Sequence, residues 1–225
     1  PTADTPASTT TRTLRRLARR HRILTDEITD IDTELRALTA RAAPTMLATK
    51  GYGVITTATL LVTAGDNPDR IRSEASFAAL CGAAPIPASS GRTNRHRLNR
   101  GGDRQANWAL HQIALVRLSS DPRTKAYAAR LTATGKSRKE ILRCLKRAIA
   151  REAWHLLTHP RPAPRTDDLR RLRHERGLTL TQAAHHLNTH PARISELERG
   201  TRPDTTLTAA YRQWLSTQQP QTHTT

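Results

Sequence analysis

Ser89, Ser90 and Gly91 are followed by Arg92, Arg95, Arg97, Arg100 and Arg104 within the stretch SSGRTNRHRLNRGGDRQANWAL. A hydroxyl beside a tight glycine, set in a field of guanidinium groups, is what phosphoryl transfer on a polyanionic backbone requires. The arginines can hold a phosphate through paired hydrogen bonds and neutralise the charge that builds during attack. The glycine lets the backbone approach a ligand closely. Serine next to glycine is also common in loops, so a plain basic surface loop is the competing reading of the same residues.

The wider composition points to the same class of partner. The 225 residues carry a formal net charge of +18, from 37 Lys and Arg against 19 Asp and Glu. An excess this large implies a polyanion, and nucleic acid is the first candidate. A genome biased towards arginine codons explains why lysine is confined to Lys50, Lys125, Lys136, Lys139 and Lys146. It does not explain the net charge. Aromatic content is only 3%, which argues against base stacking on aromatic platforms. At 36% hydrophobic residues the expectation is more than one small domain with disordered ends. Cys81 and Cys144 form no CxxC pair and read as buried free thiols in a reducing cytoplasm. With no apolar run near the roughly 18 residues that span a bilayer and no opening signal peptide, a cytoplasmic protein without a membrane partner is expected.

These residues must be positioned by helices. Residues 1–12 and 216–225 are polar, Thr-rich and aperiodic, and are expected to be disordered. Over 13–44, Leu14, Leu17, Leu24, Ile28, Ile31, Leu35, Leu38 and Ala42 trace an a/d seam, flanked by Arg19, Arg20, Glu27, Asp30, Asp32 and Arg36. A coiled coil, self-paired or packed on another helix, competes there with an ordinary amphipathic helix. Ala43–Pro44 breaks it. Gly51 and Gly53 then suggest a helix, a glycine hairpin and a second helix, a helix-hairpin-helix-like element offering backbone N–H groups to a phosphate. Simple packing is the alternative. Further helices are expected at 73–81, 104–118, 122–132 and 138–157, with Asp121 as a cap and Gly135 as a stop. Alternation suited to strands is nearly absent. The stretch 158–166, with Pro160, Pro162 and Pro164, reads as a stiff linker.

Residues 167–215 contain DLRRLRHERGLTLTQAAHHLNTHPARISELERGTRPDTTLTAAYRQWL, which resembles the Cro/lambda-repressor type of helix-turn-helix. Leu169, Leu172, Leu178, Ala183, Ala184, Leu187, Ile194 and Leu197 are spaced to close a small helical core. Thr179 and Gln182 make a capping box, Asn188 takes a turn position that tolerates left-handed backbone, and Pro191 opens the third helix. The resemblance implies that this third helix presents Pro191, Ala192, Arg193 and Glu196 to base edges in the major groove. Arg170, Arg171, Arg173 and Arg202 are then expected at phosphates. Leu180 stands where the family commonly carries a glutamine. A vestigial or protein-binding bundle is the plainer reading. His174, His185, His186 and His190 have no cysteine or carboxylate to complete a metal site, so none is expected.

From about residue 13 to 157 the chain resembles the C-terminal half of the IS110-type insertion-sequence transposases. The matching stretches are GYGVITTATLLVTAGDNPDRIRSEASFAALCGAAPIPASSG, RHRLNRGGDRQANWALHQIALVRL and DPRTKAYAARLTATGKSRKEILRCLKRAIARE. The resemblance implies a DNA recombinase whose coiled coil joins protomers, and whose serine nucleophile maps onto Ser90, with Ser89 the weaker choice. It implies a structured guide RNA as a partner beside DNA. It also implies an acidic RuvC-like domain that holds Mg2+ and completes the site. Nothing in 1–225 reads as that domain, since Asp26, Glu27, Asp30, Asp32 and Glu34 lie on one helix and face several directions. No cofactor is therefore expected in this chain, and a serine hydroxyl is a poor nucleophile without a base or metal. The expectation is a mainly α protein: a coiled-coil helix, a serine-bearing helical domain over 45–157 and a small helix-turn-helix domain. It should bind nucleic acid without transferring strands unaided. A non-catalytic transcriptional regulator and an RNA-binding accessory protein are the alternatives.

Overall fold

The computed structural model describes residues 6–65, 71–88, 96–97, 99–160 and 162–218. By compactness the chain divides into residues 1–38 and 39–225.

The first unit belongs to one long helix, α1 (Pro6–Ala42). It starts seven residues before the seam, so the disorder expected for 1–12 does not extend over Pro6–Arg12. The threonines there are accommodated by bonding back one turn: the Thr10 hydroxyl donates to the Pro6 carbonyl at 2.8 Å and that of Thr13 to Thr9 at 3.0 Å. Such bonds satisfy a side chain that otherwise competes with the helix. Leu14, Leu17, Ile28 and Ile31 are exposed along α1.

In the second unit the break at Ala43 leads into α2 (Pro44–Leu47), a single turn started by proline. It is followed by α3 (Val54–Ala64) and α4 (Glu74–Leu80). Two short strands then pair, β1 (Ile86–Pro87) and β2 (His96–Arg97), before α5 (Arg104–Ser120), α6 (Pro122–Ala133) and α7 (Arg138–Thr158). The helix starts are set by capping side chains. Ser73 accepts from the Ser76 N–H, and Asp121 from the Thr124 N–H. Ser137 and Glu140 form a reciprocal box. Gly135, at φ 81°, ends α6 as expected. The core is made where α5 packs between α3 and α7, with Met46, Leu60, Phe77, Leu110, Ile113 and Ile149 fully buried. Cys81 is buried among them, but Cys144 is only half-buried, because α7 turns that face partly outward. Burial pushes the Cys81 thiol up to about 12, which makes it an inert core group.

After an irregular stretch come α8 (Leu169–Glu175), α9 (Leu180–His186), α10 (Pro191–Glu198) and α11 (Thr205–Thr217). Leu169, Ala183, Ala184, Ile194 and Leu197 are buried at their expected places, and α11 adds Tyr211 and Leu215. Thr179 and Gln182 cap α9 reciprocally, and Asn188 adopts φ 48° in the turn before α10. The start of α11 also touches the central helices. The backbone N–H and the hydroxyl of Thr205 both donate to the Ala48 carbonyl, at 2.7 and 3.0 Å.

Candidate nucleic-acid interface

The strands β1 and β2 run antiparallel, with Ile86 opposite Arg97 and Pro87 opposite His96. Two-residue strands carry no alternation, which is why the sequence pattern shows only a loop here. Ser89, Ser90, Gly91, Arg92 and Arg95 lie outside the described residues. The described chain on either side of them is firmly held. Gly82 and Gly102 both have positive φ, 61° and 86°, and their backbones cross in direct contact. A methyl group on Gly102 would stand 2.5 Å from the Gly82 nitrogen and 2.6 Å from the Leu80 carbonyl oxygen. The Asp103 N–H donates to Leu80 O at 2.6 Å. Asn107 ties the same crossing from above, its amide donating to the Cys81 and Gly82 carbonyls at 2.9 and 3.1 Å. Its side-chain oxygen accepts from Lys146 Nζ at 2.8 Å.

Asp103 begins α5 directly after this crossing. Its carboxylate accepts from the Gln105 and Ala106 N–H groups at 2.7 and 3.1 Å and from the Thr63 hydroxyl at 3.1 Å. The Ala106 N–H foremost, then Thr63 and Gln105, hold its carboxyl below the usual carboxylate range. A depressed folded value means that the cap stabilises above the ordinary Asp range and is lost as pH falls through the lowered value. Asp103→Ala is expected to cost about 1 kcal/mol, read as a lower Tm at pH 7 whose gap to wild type closes towards pH 3. An unchanged gap at acid pH contradicts the assignment of the loss to the carboxylate.

Arg97 and Arg100, just before Gly102, and Arg104, just after it, are exposed. Lys146 adds a fourth cation to this end of the domain. Burial pushes its ammonium down from the ordinary lysine value, with the neighbouring Arg143 adding to the effect. Neither Asn107 nor Lys146 carries a local sequence signal, since the partners lie 39 residues apart.

The two glycines of the hairpin before α3 have different surroundings. Gly51, at φ 91°, packs under the Arg117 side chain, where a methyl group would meet Cγ at 2.9 Å. Arg117 Nε donates to the Lys50 carbonyl at 2.7 Å and Nη2 to Glu152 at 2.6 Å. Tyr52 is buried with its hydroxyl on Glu152 at 3.1 Å. Gly53 is exposed at the start of α3, which has no side-chain cap. Its own N–H donates to the Thr56 hydroxyl at 3.0 Å.

In the C-terminal domain Arg170, Arg171 and Arg202 are exposed, with Arg171 paired to Glu175 one turn on. Arg173, expected at a phosphate, is instead inside the domain. Its guanidinium is 6% exposed and bonds Glu198 through Nε and Nη2 at 2.8 and 3.0 Å and the Leu178 carbonyl through Nη1. The Tyr211 hydroxyl donates to the same carboxylate at 2.7 Å. Charge and amphipathic spacing alone do not separate such an arginine from its exposed neighbours. On α10, Pro191 and Arg193 are half-buried and Ala192 is exposed. Arg193 is held by Asp204 at 3.3 Å and the Arg202 carbonyl at 2.6 Å, with Glu196 at 3.6 Å. His190 caps α10 by accepting the Ala192 N–H on Nδ1 at 3.2 Å.

Residues 43–129 match the family described as Transposase IS116/IS110/IS902 family, and residues 167–212 match a helix-turn-helix domain. The central domain is thus similar to the transposase domain of that family. The chain is 31% identical over 153 residues to an uncharacterized 42 kDa protein of insertion element IS900 from Mycobacterium paratuberculosis. That stretch is 64% of this chain and 38% of the relative. It is 33% identical over 135 residues to an uncharacterized 43.6 kDa protein of insertion element IS110 from Streptomyces coelicolor, over 55% of this chain and 33% of the relative. The matched stretches thus span 38% and 33% of these two relatives. A transposase domain joined to a helix-turn-helix domain supports DNA as the partner.

Among the described residues no three His, Cys, Asp or Glu side chains converge, and Asp26, Glu27, Asp30, Asp32 and Glu34 are exposed along a single helix. No step is assigned to a metal held by this chain. Among the described residues no helix is long and apolar enough to cross a membrane.

Proposed function

We propose that the chain is the serine-bearing, DNA-docking part of an insertion-element transposase. The observation that carries this reading is the coincidence of the transposase match with the clamped root of the serine–arginine stretch. In this reading Ser90 is the nucleophile. Its hydroxyl loses a proton, the Oγ–P bond forms, and the P–O bond to one deoxyribose breaks, leaving that sugar a free hydroxyl. Arg92, Arg95, Arg97, Arg100 and Arg104 hold the phosphate and offset its developing charge. A metal-holding acidic centre outside these residues would supply the activation that a serine hydroxyl needs. The exposed seam of α1 joins protomers, and a structured RNA acts beside DNA as a guide. Gly53, Arg170, Arg171 and Arg202 meet phosphates while Ala192 and its neighbours on α10 face base edges.

The two DNA contacts are separable. Replacing Arg97, Arg100 and Arg104 together by alanine is expected to weaken duplex binding regardless of sequence. The slope of log affinity against log salt should shrink by about 2–3, near 0.9 per lost phosphate contact. Ala192→Glu is expected to leave that slope nearly intact and remove preference for the element's own end sequences over random duplex, about tenfold or more. Titrations of fluorescent duplexes at several salt concentrations read both. If the triple variant keeps the wild-type slope, the arginines are not at the DNA. A regulator without catalysis remains the second reading only if Ala192→Glu abolishes all binding that the triple variant leaves untouched.

A further inference from the structure

The charges of α1 are segregated along its length. Arg12, Arg15, Arg16, Arg19, Arg20 and Arg22 occupy the first half, while the second carries Asp26, Glu27, Asp30, Asp32 and Glu34 against Arg36 and Arg41. The apolar seam runs through both halves, broken by His21 at one place in its register. Leu14, Leu17, Leu24, Ile28, Ile31 and Leu38 are 44–60% exposed. An apolar stripe of this length marks an interaction surface, and an a/d repeat is covered best by another helix of the same repeat.

We propose that the seam is covered by α1 of a second copy running antiparallel, with Leu14 of one helix level with Leu38 of the other. This rests on the reading that the chain self-associates through α1 and adds the direction and register. In that register Leu17 meets Leu35, His21 meets Ile31 and Leu24 meets Ile28, so every layer of the seam contains at least one aliphatic side chain. Arg20 flanks the seam beside Glu34 of the second copy, and Arg22 lies level with its Asp30. The symmetry repeats both pairs at the other end. Asp26 and Glu27, next to the two-fold axis, meet their own counterparts, and Arg16 and Arg36 lie level as a like-charged pair on the outer flank. A parallel pair is worse on each count. It sets the arginine-rich halves side by side, places Glu27 beside Asp32 and stacks His21 on His21. Charges flanking the seam select orientation in this way. A nucleic acid lying along the whole helix would be drawn to its first half and repelled by its second, so a polyanion is the poorer occupant.

The test uses the full chain. Leu14→Cys and Leu38→Cys variants, alone and mixed, are oxidised mildly, with wild type as the control for Cys81 and Cys144, and mass is followed by light scattering. A disulfide dimer that forms only in the mixture is the expected result. A Leu14→Cys dimer formed without its partner overturns the antiparallel register while leaving self-association in place. A chain that stays monomeric at every concentration overturns both. If Arg20→Glu then lowers DNA affinity in that monomer, nucleic acid is the occupant. A charge exchange provides the independent check at low salt. Arg20→Glu or Glu34→Arg alone is expected to weaken the dimer about tenfold, and the two together to restore it to within about threefold, because the exchanged pair still meets its opposite across the interface. A double variant weaker than either single one contradicts the pairing.

Discussion

Glu198→Ala is expected to unfold the C-terminal domain while leaving the central helical domain folded. The carboxylate is 3% exposed and is the acceptor for both the Arg173 guanidinium and the Tyr211 hydroxyl. Truncation leaves a buried cation with only the Leu178 carbonyl and a weak contact to His174. Removing one partner of a buried pair costs about 3–5 kcal/mol, largely because the other charge stays behind without compensation. A helical domain of this size has a comparable total stability, at roughly 0.05–0.15 kcal/mol per residue. Thermal unfolding followed by circular dichroism should therefore lose its C-terminal transition. The replacement of all three groups, Arg173→Met with Glu198→Leu and Tyr211→Phe, removes the buried charges together and is expected to recover most of the loss. Unfolding of Glu198→Ala within a degree or two of wild type would mean that the pair is not buried in solution.

Gly102→Ala is the second large effect. Two costs coincide there. The residue sits at φ 86°, and the added methyl group would meet three backbone atoms, Gly82 N, Leu80 O and Ala79 O, at 2.5, 2.6 and 2.9 Å. Backbone cannot give way as the end of a flexible side chain can. Strain at a positive φ is about 1–2 kcal/mol and overpacking adds about 1–3 kcal/mol, so a loss of about 3 kcal/mol is expected by chemical denaturation. Gly135→Ala separates the two contributions, since its φ is 81° with nothing within 4 Å of the added methyl. It should cost only about 1–2 kcal/mol. The Gly102 variant should also weaken DNA binding in the range where it remains folded, because the crossing fixes both ends of the serine–arginine stretch. Equal losses at the two glycines contradict the steric account.

What the sequence makes legible follows from the range of each interaction. Helix starts rest on local capping, so Ser73, Asp121, Ser137 and Thr179 mark their helices. The core leucines and alanines of the C-terminal domain follow helical spacing and lie where that spacing puts them. Residue type and spacing are weaker guides to ionic and polar roles. Arg170, Arg171 and Arg173 look alike in the sequence, yet Arg173 alone lies opposite Glu198, 25 residues away. Gly51 has the composition of a phosphate-binding hairpin, but its space is taken by Arg117 from α5. The clamp of Gly82, Gly102, Asn107 and Lys146 is invisible locally because each member is completed by a distant segment. The start of α1 differs for the opposite reason, because threonine hydroxyls that favour irregular backbone can instead be absorbed by carbonyls one turn earlier.

In the proposed function Ser90, in the stretch between Gly82 and Gly102, takes over a phosphodiester bond. The most direct test is recovery of a covalent protein–DNA adduct. The chain is incubated with element-end duplex, Mg2+ and a full-length relative whose own corresponding serine is replaced by alanine. Denaturing electrophoresis and peptide mass spectrometry then locate the bond. The account predicts an adduct on the peptide containing Ser90, formed by wild type and absent from Ser90→Ala. An adduct that persists in Ser90→Ala, or that maps to another residue, contradicts it.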